Sequence, residues 1–168
     1  MLLKGAKIAA LLGSGVLAGG NFYISAFAIP ALLSPYKAAN DAQQNKAVLP
    51  AKTLQTQWKY VYNTGKLFFP FLALKTSIVY LFLAAHDSPD SSKLYALAAV
   101  STISIVPYTF ALMMGNIKKI EAEVKEDDPE DVTRLRKEIV KWNRFNFGRA
   151  ALIFTGFALG TWAVVDSL

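Results

Sequence analysis

Arg149 stands three residues after Asn146 and seven after Trp142, so on a helix all three side chains share one face. Thr109, Met113 and Asn116 repeat at i, i+4 and i+7, and Trp58, Tyr62, Gly65 and Phe69 recur at helical intervals. Asn21 and Tyr23 interrupt one apolar run and Lys75 another. Polar side chains inside apolar runs are costly in lipid, so each demands a reason. One common solution is a pocket within a helical bundle, supplied with hydrogen-bond donors, a permanent cation and flat aromatic faces. The chain has one histidine, no cysteine and only Asp166 as a carboxylate near an apolar run, too few groups for a four-ligand iron or zinc site. It also lacks a P-loop and a serine-histidine elbow, so catalysis is expected to run with no metal and no nucleotide held by a standard motif.

Other readings of the same residues stay open. Trp58, Tyr62 and Trp142 also suit an aromatic belt at a membrane interface. Arg149 is equally placed to snorkel, and Asn116 and Asn146 to bond between helices without a ligand. Lys75 is harder to place this way, because its stem is short for a reach from mid-membrane to the headgroups. His86 reads as an interfacial residue at the end of a run.

The elements that must position these groups are four apolar runs, at about residues 8–33, 65–85, 94–114 and 147–165. Each is near the ~20 residues that a spanning helix needs. Lys4, Lys7 and the stretch Ala26-Phe27-Ala28 imitate a signal peptide, but the run continues past Ala28 and is expected to stay as a span. Pro30, Pro70 and Pro107 are tolerable inside spans where neighbouring helices satisfy the freed carbonyls. Residues 34–59 read as a polar loop, and residues 86–93 as a short turn between antiparallel spans. Residues 116–144 are too long for a turn and read as a helical hairpin beyond the bilayer. Its break falls at residues 126–131, with Asp128 as N-cap and Pro129 at the first helical position.

Composition agrees. Of 168 residues, 54% are hydrophobic and 18% charged, and mean hydropathy is +0.32. The net charge of +6 does not signal nucleic acid, because the cations sit beside apolar runs, where a membrane surface explains them. Four spans put both termini on one side with Lys4, Lys7 and Lys93, three cations against fourteen on the other side. The positive-inside rule then places the long connections in the cytosol. The fold expected is all-α: a single domain over residues 1–168, an integral membrane four-helix bundle whose third and fourth spans extend into a cytosolic hairpin.

This pattern resembles the anthrone oxygenase family, small four-span membrane proteins of fungal aromatic polyketide pathways. The resemblance rests on residues 15–30 (GVLAGGNFYISAFAIP), 58–70 (WKYVYNTGKLFFP), 107–116 (PYTFALMMGN) and 142–149 (WNRFNFGR). It implies a cofactor-independent oxygenation of an anthrone to an anthraquinone, with molecular oxygen as co-substrate, in the endoplasmic reticulum or a related endomembrane. In that reading Tyr62, Phe69 and Trp142 form a slot for a flat polycycle, beside Thr109 and Asn21. Arg149, Asn116 and Asn146 hold the oxyanion, Lys75 is the base, and Tyr23 is the alternative acid-base group. The expected partners are a flat aromatic small molecule and membrane lipid, not nucleic acid, with a homo-oligomer left open. The competing functions are a membrane scaffold that binds a partner through the 116–144 hairpin and a lipid or quinone binder that uses the same pocket.

Overall fold

The computed structural model describes residues 1–34, 49–125 and 128–167. Four long helices make up the architecture: α1 (Leu2–Leu33), α2 (Ala51–His86), α3 (Pro89–Glu121) and α4 (Pro129–Asp166), each long and apolar enough to cross a membrane. Neighbours pack in ring order, with α1 against α2 and α4, and α3 against α2 and α4. No strand occurs among the described residues.

The helix ends follow local chemistry. Ser88 caps α3, its hydroxyl accepting from the Ser91 amide at 3.4 Å, and Pro89 occupies the first turn. Asp128 caps α4 and accepts from the Glu130 amide at 2.9 Å, with Pro129 in the expected place. Two helices contain a π-turn, α1 at Ile24–Ala28 and α3 at Thr109–Met113. Pro30 follows the first and Pro107 precedes the second, and each lacks the N–H that the regular ladder needs.

One expected boundary was wrong. Residues 34–59 are not loop throughout, because α2 is already helical at Ala51 and runs for 36 residues, about 54 Å. Ala51, Leu54, Gln55 and Trp58 form a buried stripe there. Gln55 Nε2 donates to the carbonyls of Ile120 and Ala122, both at 2.6 Å, and so caps the end of α3. A polar residue thereby extends the helix well past the apolar run. Residues 35–48 of that connection lie outside the described residues.

The interior divides into three layers. Trp58, Met113, Ile117, Leu135, Ile139 and Trp142 fill the hairpin half. Leu17, Phe69, Ile105 and Ile153 fill the middle. Tyr80, Leu83, Tyr95 and Ala98 fill the half nearest the termini. Large apolar side chains also cover the outside, among them Leu12, Leu67, Phe71, Ile78, Val100 and Trp162. So much exposed apolar surface is foreign to a water-facing monomer and suits lipid.

In lipid, close backbone approach replaces the hydrophobic drive between helices. Gly160 provides one such approach: any Cβ there would overlap the Tyr80 ring and hydroxyl, and that hydroxyl shares a 2.8 Å hydrogen bond with Ser14. At the terminal end Lys7 pairs with Asp87 at 2.9 Å and donates to the Ser167 hydroxyl at 2.8 Å. Tyr95 donates to the same Asp87 oxygen at 3.1 Å. One cluster thus joins α1, the α2–α3 turn, α3 and the end of α4. His86 stays exposed, its ring stacked on Phe82 with 4.4 Å between centroids, in keeping with an interfacial residue.

Candidate functional site

Helix α4 turns Trp142, Asn146 and Arg149 inward, as their spacing predicts, and leaves them 3%, 1% and 7% exposed. Facing them is the kinked part of α1, with Asn21 and Ile24, and one stretch of α2, with Val61, Tyr62, Gly65, Lys66 and Phe69. Together these residues line one cleft. The π-turn in α1 aims Ser25 at α4, where Asn146 Nδ2 donates to the Ser25 hydroxyl at 2.8 Å and to the Asn21 carbonyl at 3.4 Å. Asn143, one turn earlier, donates to the Ser25 carbonyl at 3.0 Å. Two carboxamides of α4 therefore lock the kink of α1 beside the cleft.

The aromatic wall is built by stacking. Tyr62 lies parallel to Trp58 with 5.1 Å between centroids, and Trp142 meets Trp58 edge-on at 5.6 Å. Phe69 rests between two glycines: a Cβ on Gly20 would stand 2.9 Å from its ring, and one on Gly65 would stand 3.1 Å away. With Phe69 in that groove, the room open to the centre of a water molecule is only about 20 Å³. This is space for about one water, not for a polycycle. A flat ligand must displace side chains on entry, and Phe69 is the one filling the slot.

The polar inventory of the cleft is unbalanced. Arg149 Nε and Trp142 Nε1 are buried donors without partners, and Asn21 Oδ1 is a buried acceptor without one. Among the described residues, no aspartate or glutamate lines the cleft. A buried cation without a counter-charge is costly, and an anionic oxygen would satisfy it together with the indole N–H. The Tyr108 hydroxyl packs against Gly148, where any Cβ would overlap it. Lys66 stands exposed at the mouth, its ammonium 5.6 Å from the Tyr62 ring centroid.

Four expected site residues lie elsewhere. Lys75 is exposed on the outer face of α2, with its ammonium 4.3 Å from the Phe71 ring centroid. The inward face of α2 at that level carries Phe69, Ala73, Thr76 and Tyr80, and residue 75 is out of phase with it. Tyr23, two residues beyond Asn21, points outward at 61% exposure and stacks on Phe27. Thr109 spends its hydroxyl on the Ile105 carbonyl of its own helix at 2.7 Å. Asn116 is buried but acts as a helix clamp, donating to the Glu138 carboxylate at 2.6 Å and to the Glu138 carbonyl at 3.1 Å. In their place the fold brings in Ser25 and Asn143. Ser25 is four residues from Asn21 and Asn143 three from Asn146, spacings that carried this signal.

Comparison with known proteins shows the family. The family profile described as anthrone oxygenase matches residues 58–159, a stretch that contains the α2 and α4 walls of the cleft. The anthrone oxygenase dmxR16 of Cryptosporiopsis sp. (strain 8999) is 26% identical over 98% of this chain and 89% of its own length. The anthrone oxygenase AgnL2 of Paecilomyces divaricatus is 24% identical over 96% of each chain. The anthrone oxygenase encC of Aspergillus fumigatus is 30% identical over 96% of this chain and 93% of its own. No solved structure matches the chain.

Proposed function

Since the chain belongs to the anthrone oxygenase family, we propose that its cleft binds an anthrone as the anthranolate and carries it to the anthraquinone with molecular oxygen. The observation that carries this reading is the buried Arg149 guanidinium, which faces a cleft with unpaired donors and no carboxylate. The methylene of an anthrone is acidified by its flanking rings and carbonyl, so a modest base removes one proton. The anthranolate then gives electrons to oxygen directly. Overall the methylene loses two hydrogens and gains one oxygen atom, the second oxygen atom leaves as water, and no external reductant is consumed.

The side chains divide the work. Arg149 and the Trp142 N–H hold the oxyanion, where a fixed charge in a low-dielectric site is worth more than in water. Tyr62 and Trp142 flank the ring system once Phe69 has moved. Asn21 Oδ1 accepts from a hydroxyl on the substrate. With Lys75 on the outer face, the proton passes to solvent at the mouth of the cleft, and the Arg149 charge favours its loss by stabilising the anthranolate left behind. Among the described residues, those that line the cleft carry no imidazole, thiol or carboxylate, and the reading is of a cofactor-independent route. By the cation asymmetry the hairpin and the mouth of the cleft face the cytosol, in the endoplasmic reticulum or a related endomembrane.

The test is purified protein with emodin anthrone under air, following anthraquinone absorbance and oxygen uptake against a protein-free control. One oxygen per anthraquinone, at a rate proportional to protein and unchanged by a chelator, is expected. Binding of the anthrone without accelerated oxygen uptake would leave a lipid or quinone binder instead. Activity lost to a chelator and restored by iron would end the cofactor-independent route.

A further inference from the structure

A second polar feature lies outside the cleft, on the hairpin side. A groove of about 840 Å³ runs between the end of α3 and residues 136–145 of α4. Five cations line it: Lys119 from α3, and Arg136, Lys137, Lys141 and Arg144 from α4. A single carboxylate faces them, and that carboxylate, Glu138, already accepts from Asn116 at 2.6 Å. Arg136 gives one arm to the Leu33 carbonyl and keeps its charge. The ion pairs among the described residues are Lys7–Asp87 and Arg134–Asp131, and neither involves the groove. Among the described residues, the groove's cations therefore outnumber the carboxylates that face them.

Depth decides what can meet this charge. Counting back from Asp166 at 1.5 Å per residue, a hydrocarbon core of about 30 Å ends near residue 147. Arg144 then lies about 4.5 Å and Lys141 about 9 Å beyond that edge, around the depth of the phospholipid headgroups. Lys137 and Lys119 continue outward. Phe145, about 3 Å beyond that edge, is the groove's apolar residue nearest the acyl region, while Val140 lies about 10.5 Å out among the cations. A surface that is cationic at headgroup depth with an aromatic side chain at its inner end matches a lipid headgroup and the start of its acyl chain, not a soluble anion.

We propose that this groove is a binding site for an anionic phospholipid whose headgroup carries more than one negative charge, as in a phosphorylated inositol lipid. The diester phosphate sits on Arg144 and Lys141, the outer phosphate meets Lys137 and Lys119, and the upper acyl chain leaves the groove past Phe145. The site stands independently of the chemistry proposed for the cleft.

The experiment titrates the full-length protein in neutral detergent with dioctanoyl-phosphatidylinositol 4-phosphate, reading thermal stability and lipid adducts by native mass spectrometry. Dioctanoyl-phosphatidylcholine is the neutral comparison and inositol 1,4-bisphosphate the free headgroup. The variant is Lys137→Gln, Lys141→Gln and Arg144→Gln combined, all exposed positions. The control is Lys4→Gln with Lys93→Gln, exposed at the opposite end. Each cation near an anionic surface is worth about fivefold in affinity, so the triple variant should bind about a hundredfold more weakly and the control should match wild type. Binding to wild type should also weaken as ionic strength rises from about 0.1 M to about 1 M, which shortens the screening length from about 10 Å to about 3 Å. That salt test keeps the idea exposed should the triple variant fail to fold. Equal binding of the two lipids, full binding by the folded triple variant, no salt dependence, or equal affinity for the free headgroup would each overturn the proposal.

Discussion

Replacing Arg149 separates catalysis from structure, because the two respond in opposite directions. Arg149 is 7% exposed, its Nε has no partner, and no acidic side chain lines its cleft. Truncating one member of a buried ion pair costs about 3–5 kcal/mol, because it strands the other charge. Arg149→Leu strands nothing. It removes a cation that itself costs up to about 2.5–3.5 kcal/mol at a helix centre in the membrane, and less near the boundary. The melting temperature in detergent should therefore hold or rise. Turnover should fall by about 10²–10³-fold, the usual cost of an oxyanion donor and equal to about 2.7–4 kcal/mol. Arg149→Lys should recover only part of it, since a compact ammonium cannot present Nε and a terminal nitrogen together. The assay is the initial rate of anthraquinone formation per folded protein, with folded protein taken from the monodisperse size-exclusion peak. Near-wild-type turnover in Arg149→Leu would refute the reasoning by removing the guanidinium from the reaction. Loss of the folded peak would refute it too, by showing the charge to be structural.

Three further outcomes follow from named contacts. Lys75→Leu should leave turnover within about twofold and preserve stability, because apolar side chains are favoured on a lipid-exposed face; the same rate assay checks it. Gly160→Ala drives a methyl into the Tyr80 ring and hydroxyl, and should lower stability by about 1–3 kcal/mol in a thermal scan, with Tyr80→Leu in the same chain restoring part of it. At Asp87, burial pushes the carboxyl up, but hydrogen bonds from the Lys7 ammonium, the Tyr95 hydroxyl and the Ser88 backbone outweigh it and hold the group below its usual range. A depressed carboxylate stabilises the fold above its unfolded value, about 3.9, and loses that contribution as pH falls through the lower folded value. Melting temperature should therefore drop with acid below about pH 4, and Asp87→Asn should flatten that part of the profile.

The sequence by itself determined the features that depend on neighbours within one helix. Four spans follow from the length and composition of the apolar runs, and the start of α4 follows from Asp128, Pro129 and the acidic residues after them. The shared face of Trp142, Asn146 and Arg149 follows from helical spacing alone, and the fold buries all three. Gln55 falls in a run that reads as polar loop, and its contacts with the end of α3 accompany a helix that the run alone does not announce. The other decisions were tertiary. In lipid the outside of a bundle is as apolar as its inside, so an apolar stripe does not reveal which face turns inward. Lys75 and Tyr23 were therefore indistinguishable in the sequence from inward-facing groups, and the packing of α2 and α1 turned both outward. Asn116 was diverted to Glu138, a partner 22 residues away, which periodicity could not have named. The slot itself, with Phe69 laid between Gly20 and Gly65, exists only because two helices approach closely where neither carries a side chain.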